Sequence, residues 1–203
     1  MDGADDAELM QRYAAGDMRA FEQLYRRHRT ALYNYLARQT RDRDVASDLF
    51  QEVWTRVIAS RARYEPRAKF RTFLFHIGHN CFIDHCRRTA ARPDRSAASE
   101  QDDSVLALAP APVAERPDER VAQAETLARY RAALDALPAE QRDAFLLYEE
   151  SGLSLAEIAS ISGVGVETAK SRVRYALAKL QRSLAPHPDA RIQLRGTTEE
   201  PGL

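Results

Sequence analysis

The sequence predicts an all-α protein of two small helical domains, an N-terminal helical bundle and a C-terminal helix-turn-helix domain, joined by a flexible linker. Three observations carry this. Leu, Ala and Arg are plentiful while Gly supplies only 8 of 203 residues, a composition that favours helices. Apolar residues recur at three- and four-residue steps, and long strand-like alternation is absent. Twelve of the sixteen aromatic residues fall in 1–90 and none in 91–120. That aromatic-free stretch holds four prolines, seven acids and four arginines, so it cannot bury a core and reads as a mildly acidic linker. The expected units are therefore a domain over 9–90, a linker over 91–120, a second domain over 121–185 and a disordered tail over 186–203.

In the first domain, Phe21, Leu24, Tyr25, His28, Leu32, Tyr35 and Leu36 repeat at helical spacing and mark one buried face. Asp44 is placed to cap the next helix, whose apolar stripe is Ala46, Leu49, Phe50, Val53, Val57 and Ile58. Pro66 breaks the pattern within "RYEPRAKF", which reads as a loop. A third helix runs from about Arg71 to Arg88, with Phe73, Leu74, Ile77 and Cys81 inward. In the second domain, Leu127, Tyr130, Ala133 and Leu134 mark a helix that ends before Pro138, itself suited to the first position of the next helix. That helix carries Ala144, Phe145, Leu147 and Tyr148 and stops at Gly152.

The segment "LSLAEIASISGVGVETAKSRVRYALAKL" reads as a helix-turn-helix. Ser154 and Glu157 have the spacing of a capping box. Leu155, Ile158, Ala159 and Ile161 form the first apolar face. Gly163 suits the sharp turn, Val164 plugs the corner, and Val166, Ala169, Val173, Leu177 and Leu180 face inward from the second helix. Ala159 and Ala169 are small where the helices should cross closely. The first turns of the second helix expose Glu167, Thr168, Lys170, Ser171, Arg172 and Arg174, with Tyr175 nearby. Lys and Arg donate to guanine edges or phosphates, and Ser and Thr to either. Residues 166–182 carry a net charge of +4 while 121–150 carry −3, so the positive field is local. The whole chain has 30 Lys and Arg against 30 Asp and Glu. A neutral chain argues against indiscriminate coating of nucleic acid.

Residues 61–88 add a second basic region, with seven Lys or Arg against two acids, interleaved with Tyr64, Phe70, Phe73, Phe75 and Phe82. Bases with aromatics suit unpaired nucleic acid, because cations hold phosphates and rings stack on exposed bases. Tyr64 and Phe70, near the loop, are the better candidates for base contact. His76, Asn80, Asp84 and Arg87 share one helix face, where Asn80 offers a base-edge contact and Arg87 and Arg88 a grip on the backbone. Asp44, Asp48, Gln51, Glu52 and Thr55 form a polar stripe on the preceding helix, which alone reads as a solvated face.

Together these motifs resemble a bacterial RNA polymerase sigma factor of the extracytoplasmic function (ECF) group of the sigma-70 family. The resemblance covers about 9–90 and 121–184. "DVASDLFQEVWTRVI" is similar to the region that grips the clamp helices of the polymerase β′ subunit, and implies polymerase docking by Asp48, Gln51, Glu52 and Thr55. "FRTFLFHIGHNCFIDHCRR" is similar to the helix that helps melt the minus-ten element. It implies a minus-ten set of Tyr64, Lys69, Phe70, His76, Asn80, Arg87 and Arg88. "LDALPAEQRDAFLL" and the helix-turn-helix are similar to the region that reads the minus-thirty-five element and touches the β flap. That implies a minus-thirty-five set of Thr168, Lys170, Ser171, Arg172, Arg174 and Tyr175. The linker would thread the polymerase RNA channel. The resemblance further implies promoter DNA and core polymerase as partners, and an anti-sigma factor, often membrane-bound, that no residue here identifies. Departures from the family pattern are Gly165 at a helix cap position, the small Ala169, the histidine-rich "HIGHNC" and the 18-residue tail.

The competing reading is a stand-alone helix-turn-helix regulator with a helical N-terminal sensing domain, which leaves the basic aromatic segment and the acidic linker unexplained. An enzyme or metal sensor built on "HIGHNCFIDHC" is the other: Cys81 and His85 are four apart on one helical face and could share a zinc ion. No second ligand cluster of closed-site spacing accompanies them. Cys81 and Cys86, five apart, do not share a face, so no structural disulfide is expected and a reducing compartment fits. No run of about 18 apolar residues predicts a membrane span, and the acidic "MDGADDAELM" does not read as a signal peptide. The expectation is a cytoplasmic, non-enzymatic protein with no cofactor, metal or small-molecule substrate. Nucleotide addition would belong to the polymerase.

Overall fold

The computed structural model describes residues 4–64, 68–91 and 117–184. Among these residues the chain forms eight α-helices and one short 3-10 turn, with no strand. The expected linker over 91–120 and tail over 186–203 lie almost entirely outside them.

Helix α1 (Asp6–Ala14) is an addition to the expected elements. Asp5 caps it, accepting the Glu8 amide at 2.7 Å. Its first residue is then seized by α2 (Met18–Thr40): Asp6 accepts from Arg27 at 2.9 Å and meets His28 Nε2 at 2.6 Å. The His28 hydrogen bond, assisted by Arg27 against the cost of burial, holds the Asp6 carboxyl down at about 2. Asp17 caps α2 through the amides of Arg19 and Ala20. The expected stripe is inward, with Leu24, His28, Leu32, Tyr35 and Leu36 buried and Phe21 and Tyr25 half-buried.

Helix α3 (Arg43–Ser60) is capped by Asp42, not by Asp44 as the sequence suggests. Asp42 accepts from the amides of Asp44 and Val45 at 2.8 and 3.1 Å, which places Asp44 inside the first turn. Ala46, Leu49, Val53 and Val57 face inward as expected. Ile58 does not, being 47% exposed, and Trp54 is buried beside Val53 instead. The indole is held by rings of Phe21, Tyr25 and Phe50, with centroids 5.8, 5.0 and 6.3 Å away. After the 3-10 turn Arg61–Arg63, α4 (Phe70–Ala90) packs on α2 and α3. Gly78 sits at the closest approach, where an added Cβ would meet Leu32 Cδ1 at 3.2 Å.

Helix α5 (Pro117–Asp135) begins inside the stretch expected to be linker. Helix α6 (Ala139–Ser151) has Pro138 at its cap rather than at its first helical position. Gly152 closes it in the left-handed conformation at φ 60°. Helices α7 (Leu155–Ser162) and α8 (Val166–Leu184) follow. Their core is Leu146, Leu147, Ile158, Ala159, Ala169, Val173, Ala176 and Leu180. Each large apolar side chain removed from water contributes roughly 1.5–3 kcal/mol. The two helical groups also touch: α6 packs on α2, and α7 lies on α4.

Candidate nucleic-acid interface

The helix-turn-helix is built as its residues suggest. The Ser154 hydroxyl accepts the Glu157 amide, and the Glu157 carboxylate accepts the Ser154 amide at 2.8 Å, completing the capping box. Gly163 ends α7 at φ 65°, a conformation that an L side chain strains to adopt. Ala159 and Ala169 are 4% and 0% exposed where α7 and α8 pack. Their small size lets the helices approach. One inward expectation fails. Val166 is 47% exposed, because the first residue of α8 precedes its packed turns, and Ala176 is buried instead.

On α8, Thr168, Lys170, Arg174 and Tyr175 are exposed, while Ser171 and Arg172 are half-buried. The Arg174 guanidinium lies 5.1 Å from the Tyr175 ring centre, so ring and cation present one joint surface. Lys170 has only a loose ion pair, 3.9 Å to Glu167. The basic head of the helix thus projects side chains that its own fold does not consume. That is the arrangement by which such a helix enters a major groove.

The minus-ten set is divided by the fold. His76, Asn80, Arg87 and Arg88 are exposed along α4. Arg87 lies 3.7 Å from Asp84, and Arg88 lies 3.7 Å from Glu52. Lys69 is exposed at the start of α4, 3.5 Å from Glu157 of α7. Tyr64 is half-buried, its ring edge-on to Phe73 with centroids 5.4 Å apart. Phe70 is 1% exposed and packs on His28 and Phe73, with centroids 5.3 and 6.3 Å away. In this arrangement Phe70 is core and offers no ring face to a base.

On α3, Asp48, Gln51 and Thr55 are exposed. Glu52 is half-buried and engaged, 2.6 Å from Arg56 and 3.7 Å from Arg88. The acidic stripe of α3 therefore adjoins the basic end of α4.

Sequence reasoning missed the polar groups that join the two helical groups. Asp143 of α6 is 8% exposed and accepts from Tyr35 at 2.8 Å and from Gln39 at 2.6 Å, both on α2. The signal was an acid four residues before Leu147 on a buried stripe. Glu157 also accepts from Thr72 of α4 at 2.8 Å. Burial opposes its ionisation. The Ser154 hydroxyl and amide, Thr72 and the Lys69 charge outweigh that and hold the carboxyl down at about 2. At the cysteines, burial pushes the Cys81 thiol up to about 11, so its reactive thiolate is scarce. Among the described residues no three His, Cys, Asp or Glu side chains converge as metal ligands, and no helix is long and apolar enough to cross a membrane.

Two family models match the chain: Sigma-70 region 2 over residues 24–92 and Sigma-70 region 4 over residues 127–180. The ECF RNA polymerase sigma factor SigM of Mycobacterium tuberculosis is 34% identical over 88% of this chain and 84% of its own length. The ferric citrate uptake sigma factor FecI of Escherichia coli is 35% identical over 77% of this chain and 86% of its own. Among solved structures, the sigma factor RpoE in complex with the anti-sigma factor NepR from Bartonella quintana superposes with a TM-score of 0.64 at 28% identity. It covers 82% of this chain and 97% of that one. CnrH in complex with the cytosolic domain of CnrY gives a TM-score of 0.63 at 26% identity, covering 89% and 97%. Two family regions in order, near-full-length relatives and the exposed basic head of α8 lead to one conclusion: the chain belongs to the ECF sigma factors of the sigma-70 family.

Proposed function

We propose that this chain joins core RNA polymerase, reads a minus-thirty-five element with α8 and a minus-ten element with α4, and so directs transcription initiation. The observation that carries the reading is α8. Its head is basic and exposed, beside a buried alanine crossing, within a chain of zero net charge. Thr168, Lys170, Ser171, Arg172, Arg174 and Tyr175 meet the upstream duplex. Tyr64, Lys69, His76, Asn80, Arg87 and Arg88 meet the melting element. Phe70 supports them from beneath.

Asp48, Gln51, Glu52 and Thr55 dock on the polymerase β′ clamp helices, and the second domain reaches the β flap. Two modest DNA sites gain when a scaffold fixes their separation, because the second contact becomes intramolecular. The chain works in the cytoplasm without catalysis of its own, under the restraint of an anti-sigma factor. Of the solved relatives above, RpoE is in complex with the anti-sigma factor NepR, and CnrH with the cytosolic domain of CnrY.

The test is a pull-down of bacterial core polymerase with the purified chain, followed by abortive transcription from a promoter library. Core capture with transcription from a subset of promoters supports the reading, and Glu52→Lys should weaken capture. Specific duplex binding without core capture would move the assignment to a stand-alone regulator.

A further inference from the structure

We propose that Glu167 reads a cytosine in the upstream duplex and so sets one base preference of this chain. The inference rests on the reading of α8 as the helix that enters the major groove, and it adds a residue to the set named above.

Glu167 is the only acid in α8, against five Lys and Arg. It is the second residue of the helix, in the turn that leads into the groove. Ser171 and Arg174 follow four and seven residues later and so share its face. Ala169, Val173, Ala176 and Leu180, on the opposite face, are buried. The carboxylate therefore stands on the front of the helix, among the residues assigned to the duplex. Lys170 and Arg172 lie to either side of that front, where phosphates would pass.

The fold makes little use of this side chain. It is 86% exposed, and its ion pair with Lys170 is 3.9 Å long. The helix dipole favours an acid anywhere in a first turn, so it accounts for the residue type and not for its place on the front. Once the helix docks, the same carboxylate is enclosed between two rows of phosphates. A negative charge taken out of water in that setting is costly unless a donor of the DNA meets it.

The base edges offer one well-matched donor. In the major groove cytosine presents its N4 amino group with no acceptor on the same base. Adenine sets the N7 acceptor beside its N6 donor, while guanine and thymine present acceptors. An ionised carboxylate only accepts. It therefore bonds to cytosine N4 and is repelled by the N7 and O6 of guanine and the O4 of thymine. Selection comes as much from this rejection as from the bond itself. Lysine, arginine and serine, which donate, cannot supply that discrimination from the same helix.

The test uses the holoenzyme formed by the full-length chain with bacterial core polymerase. Transcription is read from a promoter library randomised across the upstream element, for the wild type, Glu167→Ala and Glu167→Gln. The wild type should prefer cytosine at one upstream position by about tenfold over thymine. Glu167→Ala should level that position and leave the others unchanged. Glu167→Gln should move the preference there toward adenine, because a carboxamide pairs with adenine N6 and N7. Both variants should melt with the wild type, as exposed substitutions do. A wild type indifferent to cytosine, or a base profile unchanged in both variants, would overturn the proposal. So would a uniform gain across all sequences, the mark of a carboxylate that only repels phosphate. If the chain does not capture core, the sigma reading falls, and selection of randomised duplexes by the chain alone decides the role of Glu167 on the same three proteins.

Discussion

Helices α4 and α8 carry the same kinds of side chain, proposed here to meet DNA, yet the fold presents them differently. On α8 Thr168, Lys170, Arg174 and Tyr175 are exposed and Ser171 and Arg172 half-buried, and the inner face is sealed by Ala169, Val173, Ala176 and Leu180. On α4 the first turn is divided between core and interface. Phe70 is buried beneath it, and Thr72 and Lys69 are engaged by Glu157 of α7. Only from His76 onward does α4 show the exposed polar residues expected of it. The difference separates the ability to contact DNA from the availability of the contacting face.

The sharpest break in this comparison is Phe70→Ala. As a core ring at the base of α4 it should cost about 3–5 kcal/mol of stability, seen as a lower Tm, with the preference among promoters unchanged. If Tm held and promoter choice shifted, Phe70 would be a base contact after all. Next is Arg174→Ala on α8. Losing a base-reading arginine should cost about 1–3 kcal/mol in binding the upstream element and relax one base preference, measured by competition between single-base promoter variants. Lys170→Ala should instead weaken all sequences alike and reduce the salt slope by about 1 if it holds a phosphate.

Ser154→Ala removes the α7 cap and should cost about 1 kcal/mol in urea denaturation, loosening the support of α8 without touching a contact residue. The acid dependence of stability is a further check. Asp6 and Glu157 have folded values near 2, below their ordinary 3.8 and 4.5. Because both are depressed on folding, their stabilisation is present above the unfolded values and lost as pH falls from about 5 toward 2. Glu157→Gln should flatten part of that acid slope in a series of thermal melts.

Much of this was legible in residues. The stripe of α2 and the Ser154–Glu157 box are local patterns, and local patterns survive folding. So did the stop at Gly163 and the outward head of α8. The caps of α3 and α6 were misplaced locally, by two residues and by one, and the remaining errors were of tertiary origin. Trp54 rather than Ile58 turns inward on α3, because a ring cluster from α2 recruits the indole. Phe70 reads as a loop-proximal aromatic, and only the position of His28 and Phe73 reveals it as core. The role of Asp143 is not legible because its α2 partners lie more than a hundred residues earlier in the chain. Spacing cannot reveal a hydrogen bond that depends on how two helical groups meet.

The most direct measurement is base-by-base photocrosslinking of the chain to a promoter it transcribes, with and without core polymerase. The account predicts that the free chain marks either element only weakly, because the second contact is not intramolecular until core fixes the spacing. With core present, both elements should be marked, and Tyr64 and His76 should lie among the α4 crosslinks. Marking by the free chain as strong as with core, or no minus-ten crosslink from α4 in the presence of core, would contradict it.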